Sequence, residues 1–515
     1  MLENNNWLGE IFEKLGLDIH KLGVQFLYDP NNPMLFNSGF FFFLFLAFLF
    51  LYRYCRKNEL LRNLYVMLFS FYFYYKSSGI YLLVLIFVCT FDFFIGRLLH
   101  RTERKVSRKW LVTLSLIVNI CMLGYFKYTN FIFDLFYSAV NRQFEPFDIV
   151  LPVGISFFTF QSMSYIIDIY RKQIEPLQRW RDYAFYVSFF PQLVAGPIVR
   201  ARDFIPQMKQ PVFVSGEMFG RGMFLIMAGL FKKVIISDYI SLNFVDRIFD
   251  NPTLYTGFEN LMGVYAYALQ IYCDFSGYSD MAIGIALLLG FRFNINFDSP
   301  YKSTSITEFW RRWHISLSSW LRDYLYISMG GNRKGKVRAC ECYRLSFRES
   351  MMLTMLIGGF WHGASLLFVL WGAWHGLLLV LHKWFRSIFP ASKEVRSRWY
   401  WTNVLSIILT FNLVCIGWVF FRSPSMEVAK SVFSRIFTEF HPEIVWDFIS
   451  GYANVLFFIC LGFLLHFLPH RYSEGVARKI EMSPVSVKAF AFALLIVLVI
   501  QIKSSELQPF IYFQF

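Results

Sequence analysis

The stretch Glu308–Gly335, EFWRRWHISLSSWLRDYLYISMGGNRKG, places charged residues among three tryptophans in a chain that is otherwise strongly apolar. On a helical wheel, Trp313 and Trp320 fall within about 80° of Trp310. The arginines of the stretch lie on the other side of the wheel: Arg311, Arg312 and Arg322. The pattern predicts one continuous amphipathic helix, lying in the cytoplasmic interface of a membrane.

His314 lies at the edge of the apolar face of this predicted helix and turns away from the arginines. Two interpretations remain open. In the first, the tryptophans and arginines anchor the helix in the interface, and His314 is a hydrogen-bonded core residue. In the second, the stretch forms a cytosolic lip that binds an anionic ligand such as coenzyme A and directs His314 into a reaction chamber. Further basic residues flank the stretch: Lys302, Arg333, Lys334 and Lys336.

The composition of the whole chain is that of an integral membrane protein. Of 515 residues, 56% are hydrophobic and only 17% are charged, whereas soluble proteins carry about a quarter charged residues. Apolar runs recur along nearly the whole chain, and a spanning helix needs roughly 20 residues. We predict an all-α polytopic protein with about eleven spanning helices. Residues 35–515 would form one membrane domain with its motif core at 150–385, after an interfacial amphipathic extension at 1–34.

The net charge of +15 does not indicate nucleic-acid binding, because the basic residues fall in short loops beside apolar runs. Basic loops after the first and third runs predict that the N-terminus lies outside, by the positive-inside rule. The same rule places the C-terminus outside. The eight cysteines are mostly isolated within apolar runs and show no ligand spacing, so no metal site is predicted.

A second histidine lies in the segment 358–376, GGFWHGASLLFVLWGAWHG. His362 is roughly 17 Å along a helix from the start of its apolar run at Met351, which is about halfway through the hydrocarbon. An ionisable residue at that depth is a functional candidate, and a neutral imidazole there would accept a proton from a hydroxyl. The alternative is a packing histidine bonded to a backbone carbonyl. Because both ends of 351–384 look cytoplasmic, this run is predicted to be a hairpin or a re-entrant segment.

Other polar residues interrupt the apolar runs, notably Gln161, Asp168, Asp274 and Asp280. Asp274 and Asp280 are six positions apart and do not share a helical face closely, so they are not interpreted as an acid–base pair or a metal site. We expect these groups mainly to hydrogen-bond neighbouring helices or to orient a histidine.

These motifs together resemble the membrane-bound O-acyltransferase family, in particular its bacterial alginate O-acetylation branch. Four further segments match the family in the same order: 151–171, 189–200, 272–284 and 290–301. The resemblance implies a ring of tilted helices around a central chamber, with His362 and His314 as the catalytic residues. We expect substrate contacts from five residues: Arg311, Arg312, Arg322, Trp361 and Asp274.

The resemblance also implies a reaction and a setting. Acetyl-CoA would be the donor, with no bound cofactor, and the acetyl group would cross a bacterial cytoplasmic (inner) membrane. An extracytoplasmic SGNH-type acetyltransferase would then modify a polysaccharide. One alternative is D-alanyl transfer to teichoic acid from a carrier-protein thioester, and another is a non-enzymatic transporter. Two features depart from the family pattern: residues 1–34, and the link after Gly335 that contains Cys340 and Cys342.

Overall fold

The computed structural model describes residues 23–194, 196–330, 347–389 and 400–502, and these residues form helices and loops without a β-strand. The all-α prediction is therefore confirmed for the described part of the chain. Most of the predicted N-terminal extension lies outside the described residues. So do Cys340, Cys342 and three of the flanking basic residues: Arg333, Lys334 and Lys336.

The first half of the described chain contains helices α1 Gly39–Cys55, α2 Glu59–Ser78, α3 Leu82–Arg101, α4 Lys105–Ala139, α5 Ile155–Tyr170, α6 Trp180–Ser188, α7 Phe190–Leu193, α8 Ala201–Met208, α9 Gly216–Leu230, α10 Asp246–Asp250 and α11 Gly257–Leu288. The second half contains α12 Ile306–Arg312, α13 Ile315–Trp320, α14 Phe347–His362, α15 Leu366–Ile388, α16 Tyr400–Arg422, α17 Met426–Thr438, α18 Val445–Gly451, α19 Ala453–Phe467, α20 His470–Met482 and α21 Val485–Ile502. Three π-helical segments interrupt this order at 231–238, 241–245 and 321–326.

Within the described residues, four helical segments are long and apolar enough to cross a membrane, or up to six if each of two bent helix pairs is one span. The four are Glu59–Arg101, Lys105–Ala139, Leu366–Ile388 and Thr402–Arg422. These segments fit a multi-pass membrane protein, while the number of about eleven spans stays a prediction. The run at 260–291, which is long enough for two passages, forms the single 32-residue helix α11.

Glycines let the central helices approach each other closely. A Cβ on Gly229 or Gly222 of α9 would collide with the backbone of α11 at Gly277 or Gly284. Small residues at such contacts are typical of membrane helix pairs, because packing rather than water exclusion drives their association. The α9–α11 pair therefore forms a rigid centre.

The run around His362 is a helical hairpin, as its charge pattern predicts. Helix α14 ends at His362, and α15 begins four residues later at Leu366. The side chain of the preceding Ser365 accepts a hydrogen bond from the Leu367 N–H. Gly359 of α14 contacts Gly372 of α15, and a Cβ at Gly359 would collide with the Phe368 carbonyl. The small residues of this run thus join the two arms of the hairpin.

Gly359→Ala is expected to lower the free energy of unfolding by about 1–3 kcal/mol. The added methyl group would collide with backbone atoms of Phe368 and Gly372, which cannot move aside as a side chain can. Gly358→Ala is the matched control, since its Cβ would meet only the flexible Leu321 side chain at 3.1 Å. Thermal unfolding of the two purified variants in detergent would check this. Equal midpoints would contradict the close contact.

The prediction of one continuous helix through His314 is wrong. The chain breaks between α12 and α13, where His314 adopts the left-handed conformation with φ 42°. Residues 296–298 bond the backbone groups that the break leaves without helical partners. Asp298 N donates to Arg312 O at 3.0 Å, and Ile315 N donates to Asn296 O at 2.9 Å. Trp313 and Trp320 are consequently buried in the protein instead of lying in the interface.

Candidate active site

His362 is the last residue of α14 and lies at the tip of the hairpin. The last carbonyls of a helix have no intrahelical donor, and α4 supplies donors for three of them. Lys127 Nζ donates to Trp361 O at 2.7 Å and to His362 O at 2.8 Å, and Tyr128 donates to Phe360 O at 2.8 Å. A lysine at the negative end of the helix dipole stabilises this end and fixes the position of His362.

Aromatic rings surround the His362 imidazole. The centroids of Trp361 and Trp371 each lie 5.0 Å from it, and that of Phe421 lies at 5.4 Å. His362 itself is only 4% exposed. Burial favours the neutral imidazole, which is the form that accepts a proton in general base catalysis.

His314 is held by the loop that interrupts its helix. Asn296 Oδ1 accepts hydrogen bonds from Ser316 N at 3.1 Å and Ser316 Oγ at 2.9 Å, and His314 Nδ1 lies 3.3 Å from the same oxygen. Because that oxygen is an acceptor, Nδ1 carries the proton, and the lone pair of the ring is on Nε2. Among the described residues Nε2 has no hydrogen-bond partner.

A chain of aromatic side chains connects the two histidines. Adjacent ring centroids along the chain from His362 to His314 are 4.9 to 6.2 Å apart. The members between the histidines are Trp371, Trp418, Trp313 and Phe297. The two predicted catalytic residues therefore lie at the two ends of one aromatic cluster.

Asn296→Ala is expected to reduce acyl transfer by about tenfold or more, because His314 loses the group that orients its ring. The partly buried Ser316 N–H also loses its acceptor, at a cost of about 1 kcal/mol. Initial rates normalised to folded protein would separate the two effects. Asn294→Ala, at an exposed position of the same loop, is the control, and equal rates for the two variants would contradict the assigned role.

The three arginines predicted to bind substrate have different surroundings. Arg312 pairs with Glu308 at 3.0 Å and Asp298 at 3.4 Å. Arg322 is 63% exposed and pairs with Asp323 at 2.8 Å. Arg311 is exposed, and its charge acts on Lys383. The structure thus leaves Arg311 and Arg322 accessible, while Arg312 is engaged by two carboxylates.

A second cluster of arginine side chains surrounds Asp323. Arg200 Nη1 lies 2.5 Å from its carboxylate, and Arg171 donates to its backbone carbonyl at 3.2 Å. Both guanidinium groups also lie over the Tyr324 ring, at 5.2 and 5.3 Å. Burial alone would raise the pKa of Asp323, but the hydrogen bonds from Arg322 and Arg200 outweigh it and hold the pKa below its usual value. The carboxylate therefore stays ionised and keeps the cluster together.

Asp274 lies in a buried ion-pair network. Its carboxylate is 2.5 Å from Lys233 Nζ, and the same ammonium is 2.7 Å from Asp238. The neighbouring Lys232 pairs with Asp280 at 2.7 Å. Both lysines belong to the π-helical segment 231–238. The network joins this segment to α11, in agreement with the expectation that the polar residues of α11 bond neighbouring helices.

Trp361 is adjacent to His362 and also lines a cavity. Its ring stacks on Phe160 at 5.0 Å, and Phe160 also stacks on Trp320 at 4.0 Å. The cavity has a volume of about 130 Å³ and is lined by Lys127, Trp361, Val194 and residues 151–157. Trp361 and Lys127 therefore line the same cavity.

Several residues of the site escaped the sequence analysis. Lys127, Lys232 and Lys233 each lie in an apolar run, so the rule that singles out His362 at membrane depth applies equally to them. Asn296 and Arg200 gave no comparable signal, because their contacts depend on loops that meet only in the folded chain.

Residues 68–423 match the membrane-bound O-acyltransferase family. The chain belongs to this family. The acyltransferase is 43% identical to the probable alginate O-acetylase AlgI of Pseudomonas syringae pv. tomato over 413 residues, which cover 79% of this chain and 75% of the relative. It is also 37% identical to the peptidoglycan O-acetyltransferase of Helicobacter pylori over 404 residues, which cover 73% of this chain and 74% of the relative.

A more distant relative is the teichoic acid D-alanyltransferase of Bacillus subtilis, which is 29% identical over 296 residues, covering 56% of this chain and 72% of the relative. The shared family and these names establish the protein as a membrane-embedded O-acyltransferase. The motif core that contains both histidines lies within the matched region.

Proposed function

We propose that this acyltransferase takes an acetyl group from cytosolic acetyl-CoA and delivers it across the bacterial cytoplasmic membrane for O-acetylation of an extracytoplasmic polysaccharide. The observation that carries the proposal is the position of His362 at the tip of the α14–α15 hairpin. The 16 residues of α14 place this tip about 24 Å from the start of the helix. On this proposal, an acetyl group that reaches His362 has passed about halfway through the hydrocarbon.

The chemistry follows from a neutral, oriented imidazole. His362 accepts the proton of an acceptor hydroxyl while the hydroxyl oxygen attacks the carbonyl carbon of the thioester. The new ester C–O bond forms, the C–S bond breaks, and the His362 imidazolium gives the proton to the departing thiolate. His314, whose Nε2 carries a lone pair, positions the donor or the acceptor from the other end of the aromatic chain.

On the cytosolic side, the donor phosphates would meet the exposed arginines Arg311 and Arg322. Arg171 and Arg200, clustered around Asp323, extend this basic surface. Guanidinium groups suit phosphate because they donate two parallel hydrogen bonds. The expected partner on the outer side is an SGNH-type acetyltransferase that passes the acetyl group to the polymer, with the N-terminus of the acyltransferase on the same side.

The specific alternative is D-alanyl transfer to teichoic acid from a carrier-protein thioester, because one relative carries that name. The two functions differ in the donor. Inverted membrane vesicles containing the protein would be incubated with acetyl-CoA labelled in the acetyl group, or with a labelled D-alanyl carrier protein. We expect base-labile label in the membrane or in glycan only from acetyl-CoA. Transfer from the carrier protein alone would refute the proposed donor.

A further inference from the structure

Residues 97–109 contain the end of helix α3 and the start of helix α4, and this segment is called the α3–α4 turn. It has six Lys or Arg residues and one acidic residue, Glu103. Four of the basic side chains are exposed: Arg101, Arg104, Lys105 and Lys109. Within the part of the chain that the structure describes, no carboxylate lies at ion-pair distance from these four. The turn therefore presents positive charge that the described residues do not neutralise.

Another cation of the turn, Arg108, points into the protein and fixes the shape of the turn. Its guanidinium group donates hydrogen bonds to the carbonyls of Leu99 at 2.6 Å and Thr102 at 3.3 Å, both at the end of α3. It also donates to the carbonyl of Tyr170, the last residue of α5, at 3.1 Å. Arg108 thus ties three helices together under the exposed cations. A backbone that is already ordered loses little entropy when a ligand binds to side chains on it.

The start of α4 places two lysines beside two side chains that face lipid. Val106 and Trp110 are 71% and 69% exposed, and because they are four positions apart they share one face of the helix. Both belong to a segment that is long and apolar enough to cross a membrane, and tryptophan is enriched at membrane interfaces. Lys105 and Lys109 each lie one position earlier, on the neighbouring face. Because helical side chains tilt toward the N-terminus of their helix, the two ammonium groups lie closer to the membrane surface than the indole ring.

We infer that the α3–α4 turn is a binding site for the phosphate headgroups of anionic phospholipids in the cytoplasmic leaflet. The positive-inside rule places the turn on that side and accounts for basic residues in it. The further step to a lipid site rests on the fixed backbone at Arg108 and on the pairing of Lys105 and Lys109 with Val106 and Trp110. Four or more Lys or Arg residues directly cytoplasmic of a spanning helix are typical of anionic-lipid recognition. The ammonium groups would bind the phosphate oxygens, while the indole and valine side chains contact the acyl chains.

The test measures lipid binding to the detergent-solubilised full chain by native mass spectrometry. Phosphatidylglycerol and phosphatidylcholine with identical acyl chains are the probes, and we expect phosphatidylglycerol to bind roughly tenfold more tightly. A variant that combines Lys105→Gln and Lys109→Gln should bind phosphatidylglycerol about tenfold or more weakly and phosphatidylcholine as the wild type does. A variant that combines Arg471→Gln and Arg478→Gln is the matched control. It removes the same charge from exposed positions of α20 and should keep the wild-type preference.

Equal affinity of the wild type for the two lipids would overturn the inference. An equal loss in the two double variants would also overturn it, because the preference would then reflect the total charge of the protein instead of this turn. Binding of glycerophosphoglycerol, which has the headgroup without acyl chains, as tightly as the lipid would replace the lipid by a soluble phosphodiester. If the lysine double variant does not fold, Lys109→Gln alone takes its place, with an expected loss of about fivefold. Wild-type affinity in that variant would contradict the site.

Discussion

His362→Ala is expected to reduce acetyl transfer by roughly 10²- to 10⁴-fold, the typical contribution of a general base. The imidazole is an ionisable group at the tip of the α14–α15 hairpin, where Lys127 and Tyr128 of α4 donate hydrogen bonds to the His362 and Phe360 carbonyls, respectively. The measurement is the rate of label transfer from acetyl-CoA in membranes, normalised to the amount of folded protein. Base-labile acetate on secreted glycans would give the same comparison in cells.

Loss of packing must be separated from loss of chemistry, because the His362 ring contacts Trp371 and Phe421. His362→Phe keeps an aromatic ring at this position and removes both nitrogens. We expect the phenylalanine variant to fold as well as the wild type and to be as inactive as His362→Ala. His441→Ala, an exposed histidine, is the control for handling and expression. Wild-type transfer by His362→Phe would refute the assigned proton transfer.

Much of the site was predictable because its chemistry is local in the sequence. His362 is conspicuous in an apolar run without Asp, Glu, Lys or Arg, and the basic residues at both ends predict its hairpin. The family resemblance then assigns a role to it. These signals need only the composition of one segment and do not depend on contacts between distant parts of the chain.

The predictions that failed depend on distant segments. The helical wheel through Trp313 and His314 assumed that the helix keeps its own hydrogen bonds, but residues 296–298 bond the backbone on both sides of the break. That competition is not visible in the periodicity of the stretch. The same holds for Arg200, which lies 123 positions from its partner Asp323. Periodicity predicts where a helix would end in isolation. Hydrogen bonds from another segment of the folded chain can change where it ends.

Lys233→Met is expected to lower the free energy of unfolding by about 3–5 kcal/mol, because it leaves the carboxylates of Asp238 and Asp274 buried without their shared cation. The Lys233 side chain is only 2% exposed, whereas that of Lys232 is 28% exposed and, among the residues that the structure describes, pairs with Asp280 alone. Lys232→Met is therefore the matched control, with an expected loss of about 1 kcal/mol. Thermal unfolding in detergent and the abundance of the protein in membranes would check both values.

A companion variant separates stability from substrate binding at Asp274. Asp274→Asn keeps the shape of the side chain and an acceptor for Lys233 but removes one of the two negative charges around that ammonium. If the ion pair is the main role of Asp274, the thermal midpoint falls while transfer per folded molecule stays near the wild-type rate. A normal midpoint with a loss of transfer would instead assign Asp274 to the substrate. Because Lys233 retains Asp238, we expect a smaller loss of stability than in Lys233→Met, and this order of the two midpoints is itself a test of the network.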